Sequence, residues 1–158
     1  MVEQTRLLQA QIKDNLAAIA EVYQQIDKLG SKATGTNEDI IIGYHLHVLY
    51  GLFENLFEQI AEAFENNIGD KAQWHAQLLK RMALDVTPIR PAVISQESYI
   101  HLNELRGFRH LFRNAYLLQF DPDRLNIVLR HANKLKLHYQ TDLDEFLDFL
   151  EQLAQSDL

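Results

Sequence analysis

The chain reads as an all-α bundle of four to six helices. Three observations predict this. Apolar residues recur at 3–4 spacing over long stretches, the mark of amphipathic helices. No segment alternates apolar and polar residues as a half-buried strand does. Six Gly and three Pro in 158 residues are too few for the turns of an all-β chain. At 47% hydrophobic and 23% charged, the composition is that of a folded globule with enough apolar matter for a core. The length favours one domain over 1–158.

The first helix is predicted over residues 3–29, where Leu7, Leu8, Ile12, Leu16, Ile19, Tyr23, Ile26 and Leu29 make the stripe. Gly30 and the segment Ser31 to Thr36 end it and form a loop. Thr36 or Asn37 can cap a second helix that runs to about Asn66, with Glu38 and Asp39 favourable in its first turn. That helix is apolar on most sides (Ile40, Ile41, Ile42, Leu46, Leu49, Leu52, Phe53, Leu56, Phe57, Ile60), so it should be central. Asn66 to Asp70 breaks the pattern, and a shorter helix follows with Trp74, Leu78, Leu79 and Met82. Pro88 and Pro91 prevent helix over 87–91. Ser95 looks like the N-cap of a fourth helix over about 96–118. Asp121-Pro122 reads as cap and first position of a last helix, bent or straight, carrying Leu125, Val128, Leu129, Leu135, Phe146, Leu150 and Leu153.

Composition also excludes chemistry. With no cysteine, there are no disulfides, no thiolate nucleophile and no thiolate-bound zinc. The longest uncharged stretch, Ile40 to Phe53, has 14 residues, against roughly 20 for a membrane-spanning helix. Glu3 and Arg6 stand beside Met1 with no apolar run behind them, so no signal peptide is expected. A cytoplasmic protein away from the membrane is the expectation.

The net charge of −7 argues against a general nucleic-acid binder. Its distribution is more informative. Residues 101–139 hold seven basic and three acidic groups, whereas 140–158 hold six acids and no base. On a helical projection at about 100° per residue, with Arg106 at zero, Arg109 falls near 300°, Arg113 near 340° and Tyr116 near 280°. Three arginines therefore form a stripe ending in a tyrosine, with His110 at its flank and Phe108, Phe112 and Ala115 on the neighbouring apolar face. Guanidinium groups on adjacent turns repel unless each reaches water, a carboxylate or a phosphate. Glu104 is the only acid in the segment. Either acids from other helices or solvent neutralise the stripe, or it is a site for phosphate, whose oxygens match the guanidinium fork.

The stretch Pro91-Ala92-Val93-Ile94-Ser95, followed by Leu105-Arg106-Gly107-Phe108-Arg109-His110-Leu111-Phe112-Arg113-Asn114-Ala115-Tyr116, resembles the HepT-like ribonuclease toxins of the HEPN superfamily. Their signature is Arg, four residues, His, one residue, Tyr. The resemblance extends from Tyr44 to about Leu153 and takes in Trp74-His75 and Asp121-Pro122-Asp123-Arg124-Leu125. It implies a HEPN-like bundle forming a two-fold dimer, with metal-independent cleavage of cellular RNA and no cofactor. Arg109 fills the Arg position and Tyr116 the Tyr position. Asn114 stands where the family has His.

In the family, His and Arg act on the scissile phosphodiester. A histidine there transfers a proton, and the arginine stabilises charge building on the phosphate. Asparagine forms hydrogen bonds but exchanges no proton near neutral pH. Losing acid–base assistance costs about 10²–10⁴-fold in rate, so Arg109 and Asn114 are expected to form a binding site with weak or absent cleavage. Arg106, His110 and Arg113 are the further candidates for RNA phosphate, and His110 could compensate for Asn114. Position 114 lies about 140° around the helix from Arg109. A second copy of the helix across a two-fold axis could complete the geometry, so a homodimer with facing fourth helices is expected. By the resemblance, Tyr116 is where an MntA-like nucleotidyltransferase antitoxin attaches AMP to block the cleft.

The remaining candidates are plainer. His45 and His47 are expected to be satisfied core histidines, and His131 and His138 surface groups. Glu97 and His101 are one turn apart, a spacing common by chance. No Glu-x-x-His pair marks a di-metal bundle, and no metal is expected. The acidic residues from Asp142 to Glu151 alternate with Leu143, Phe146, Leu147 and Leu150, as in a docked helix with a wet acidic face. Two further readings stand beside the toxin: a non-catalytic helical partner or acceptor of a nucleotidyltransferase, and a structural dimerisation bundle.

Overall fold

The computed structural model describes residues 1–30, 32–35, 37–65, 73–113 and 121–156. These form six helices: α1 (Val2–Lys28), α2 (Glu38–Phe64), α3 (Trp74–Met82), α4 (Gln96–Arg113), α5 (Pro122–Leu135) and α6 (Tyr139–Ser156). Among the described residues there is no strand beyond an isolated bridge between Val86 and Arg90. The predicted all-α class holds. The predicted last helix is two, because the chain turns at 136–138 before α6 begins. The expected break at 66–70 lies outside the described residues.

The central place of α2 follows from its all-round apolarity. It packs against α1, α3, α4 and α5, and Leu46, Leu49, Phe53, Leu56, Phe57 and Ile60 have no exposed surface. This helix is also long and apolar enough, by length and composition, to cross a membrane. Here it is the core helix of the bundle. Its stripe is not complete: Ile41 and, on α1, Leu7 are exposed, one residue out of phase with the buried rows. Tyr23 ties three helices together. Its ring stacks on Tyr139 of α6 at 5.6 Å between centroids, and its hydroxyl donates to the Ala132 carbonyl of α5 at 2.8 Å. Phe53 of α2 meets the same Tyr139 ring edge-on at 5.4 Å.

Local chemistry sets the helix ends. Gly30, at φ +94°, takes the left-handed conformation that stops α1. Asn37 occupies the cap position of α2 without a side-chain cap bond. Thr36 lies outside the described residues. Instead, the buried Asp39 carboxylate accepts the Thr34 and Gly35 amides at 2.9 Å each. Asp121 caps α5 as expected, accepting the Asp123 amide at 3.0 Å, with Pro122 behind it.

The start of α4 is held from two sides. Ser95 accepts the Ser98 amide at 3.2 Å and donates its own amide and hydroxyl to Asp142 of α6, at 3.0 and 2.9 Å. The Ser98 hydroxyl also donates to Asp142. The acidic face of α6 is therefore only partly wet, since Glu151 also pairs with Arg6 of α1. Just before α4, Arg90 is fully buried. Its guanidinium pairs with Glu65 at the end of α2 and donates to the carbonyls of Arg81, Leu84 and Pro91 at 3.1 Å each.

His131 and His138 are not separate surface groups. His101 of α4 lies 2.9 Å from His131 of α5, Nδ1 to Nδ1, and its ring stacks over His138 at 6.4 Å. Burial and the charges of His131, Lys134 and His138 hold His101 below the ordinary histidine value of 6.5.

Arg90→Ala strands Glu65 and empties a buried site, so unfolding in urea should show a loss of about 3–5 kcal/mol. For His101, the unfolded chain takes up a proton at a higher pH than the folded chain. Its contribution to stability is whole above about 6.5 and falls as the medium is acidified. His47, also lowered by burial, acts in the same direction, while Glu58, raised by burial, opposes them nearer 4.5. The melting temperature should fall from pH 7.5 to roughly pH 5.5, and His101→Gln should reduce that fall.

Candidate functional site

Three helices with different jobs make one cleft. α2 supplies the floor through Tyr50 and Glu54, one turn apart on one face. α3 begins at one side of it, and the C-terminal half of α4 lies across it. The cleft has a volume of about 350 Å³, within the range of small-ligand sites. Arg106, Arg109, His110 and Arg113 line it from α4, facing Tyr50 and Glu54 of α2 and His75 of α3.

The arginine stripe predicted from helical phase is thus brought to one place. Arg109 reaches the backbone of α2. Its Nη1 donates to the His47 carbonyl at 3.2 Å and sits 3.5 Å from His47 Nε2. This position depends on Gly51: a Cβ there would stand 2.7 Å from Arg109 Nη1. Arg106 donates to Asn103 Oδ1 through Nε and Nη2, at 3.2 and 2.9 Å. Arg113 and His110 are exposed at the rim. Among the described residues, none of the three guanidinium groups forms an ion pair with a carboxylate. Among the described residues, acids from other helices do not pair with the stripe, which leaves solvent or a phosphate to neutralise it. Asn114 and Tyr116 lie outside the described residues.

Burial is the first cause of each shift along α2 at the cleft. His47 is held below the ordinary histidine value by burial first, then by the charges of Arg109 and Arg113. Its Nδ1 is buried without a hydrogen-bond partner among the described residues, and its ring packs on Phe112 at 5.0 Å. The expectation of a satisfied core histidine therefore fails for His47. Arg109 crosses α2 at that turn and binds the His47 carbonyl, while Nδ1 of the ring stays unpartnered among the described residues. Burial, reinforced by Glu54, pushes the Tyr50 hydroxyl far above the usual tyrosine range. Glu58 is raised by burial and then by Glu54.

Sequence reasoning missed one pair entirely. Glu54 is 5% exposed, and its Oε2 accepts a hydrogen bond from His75 Nδ1 at 2.8 Å. The two are 21 residues apart, so no helical spacing links them. Among the described residues, no group of three or more His, Asp or Glu is arranged to hold a metal ion.

A family model described as HepT-like protein matches residues 41–150. The match covers every residue of the cleft. Comparisons with curated proteins and with solved structures found no match. The family match spans well over half of the chain, and the protein belongs to the HepT-like family, which suggests a function of the HEPN toxin type.

Proposed function

We propose that this protein is the toxin of a HEPN/MNT toxin–antitoxin pair, acting in the cytoplasm on RNA held in the arginine cleft. One observation carries the reading: three guanidinium groups share a cleft with no carboxylate ion pair among the described residues. Such a cluster is relieved by a polyanion, and guanidinium forks fit phosphate oxygens.

In this reading Arg109, braced on the His47 carbonyl, stabilises charge that builds on a phosphodiester. Arg106, His110 and Arg113 grip flanking phosphates. Asn114 occupies the place of the family's histidine and offers hydrogen bonds but no proton, so cleavage that depends on this position is impaired. Two copies with facing fourth helices form the working cleft. An MntA-like nucleotidyltransferase silences it by attaching AMP to Tyr116, which brings anionic phosphate to the arginines that RNA requires. Asn114 also favours a second reading, in which the chain is a non-catalytic acceptor for that enzyme.

Fluorescence anisotropy with single-stranded RNA tests the binding claim. Arg109→Ala should weaken affinity roughly tenfold or more, the worth of one charge-assisted hydrogen-bond partner. The slope of log affinity against log salt should fall by about 0.7 for each phosphate that is no longer neutralised. Unchanged affinity would refute the reading.

Gly51→Ala separates site from fold. The new methyl group must displace the Arg109 guanidinium, while alanine gains up to about 1 kcal/mol of helix propensity over glycine. Melting temperature should hold or rise while RNA affinity drops.

Asn114→His separates toxin from acceptor. Under the toxin reading it raises the rate of RNA cleavage about 10²–10⁴-fold without added metal; under the acceptor reading a folded Asn114→His protein leaves RNA intact.

A further inference from the structure

We infer that His75, oriented by Glu54, is the proton-transfer centre of this cleft, and that it takes the 2′-hydroxyl proton of a bound RNA in place of the histidine missing at position 114. The inference rests on the RNA reading above and adds the group that performs the chemistry.

The geometry is that of an oriented base. Glu54 is buried in the face of α2 that floors the cleft, and its carboxylate fixes His75 by the 2.8 Å bond to Nδ1. Trp74 packs edge-on against the imidazole at 4.7 Å between centroids. The ring is thus restrained on one edge and by one neighbour, yet the His75 side chain stays 46% exposed in the cleft. With Nδ1–H donated to the carboxylate, the lone pair lies on Nε2. A histidine oriented by a buried carboxylate is the arrangement that activates a hydroxyl in many hydrolases. Across the cleft stand Arg106, Arg109 and Arg113. One wall holds phosphate, and another carries a base.

The step balances without a metal or cofactor. His75 Nε2 takes the proton of the ribose 2′-hydroxyl. The oxygen's electron pair forms the new bond to phosphorus, and the P–O5′ bond breaks with its pair on the 5′ oxygen. That oxygen takes a proton from solvent, and His75 returns its own to solvent. The products are a 2′,3′-cyclic phosphate and a 5′-hydroxyl end. The charged and titratable groups around the pair are Tyr50 and Glu58 on α2 and Arg106, Arg109, His110 and Arg113 on α4.

The test uses the full chain and a short end-labelled oligoribonucleotide, with a 2′-deoxy version as control. The protein should cut the ribose form slowly, leave a cyclic phosphate, and bind the deoxy form without cutting it. His75→Ala should lower the cleavage rate about 10²–10⁴-fold with affinity unchanged, and added imidazole should restore part of that rate. Glu54→Gln should lower kcat with KM unchanged, the mark of a positioning residue. His75→Gln, closer in size, serves if His75→Ala does not fold. Binding without cleavage by the unaltered protein overturns this inference and leaves the RNA reading standing. So does full activity in a folded His75 variant. Failure to bind either oligonucleotide overturns the RNA reading itself, and the inference with it.

Discussion

Arg109 reaches the backbone of α2 because residue 51 has no side chain. Its guanidinium lies where a Cβ would stand 2.7 Å from Nη1, and it is anchored there by the His47 carbonyl. That crossing lies where α4 packs on α2 at the cleft. It also places a permanent positive charge against the middle of the most apolar helix in the bundle. His47 at the crossing is held below the ordinary histidine value by burial first and by that charge second, and Glu54 and Glu58 sit one and two turns beyond Gly51 on the same face. A polar groove thereby opens in a helix that is otherwise core.

A groove of this kind needs its walls held at both ends. The N-terminus of α4 is fixed by the Ser95–Ser98–Asp142 network to α6. The segment leading into it is fixed by the buried Arg90, which joins the end of α2 to the carbonyls around α3. These bonds leave the other half of α4 to present its arginines to solvent and to one another. Like charges on adjacent turns cost free energy, and the fold holds them without a direct carboxylate ion pair among the described residues. A bound anion is the simplest relief for that cost.

The floor of the cleft has the opposite character. Glu54 is buried and engaged by His75 rather than by an arginine. Had it paired with Arg106 or Arg109, the cleft would be self-neutralised and closed to phosphate. Division of the cleft into an acid–histidine side and a guanidinium side keeps both sets of groups available.

What the sequence determined by itself is whatever is local. Helical periodicity, the Asp121-Pro122 cap, the Ser95 cap, the stop at Gly30 and the common phase of Arg106, Arg109 and Arg113 all depend on neighbours within a turn or two, and all were legible. Near neighbours also explain the errors: the bend at 136–138 carries no Gly or Pro to announce it, and a one-residue phase difference separates exposed Leu7 from buried Leu8. The tertiary structure alone decided that Arg109 meets Gly51 and His47, that His101, His131 and His138 cluster, and that His75 finds Glu54. Each of these joins different helices; His75 and Glu54 are 21 residues apart in the chain, and Arg109 and His47 are 62 apart. Their meeting is set by how the helices cross and pack, which no spacing along the chain encodes.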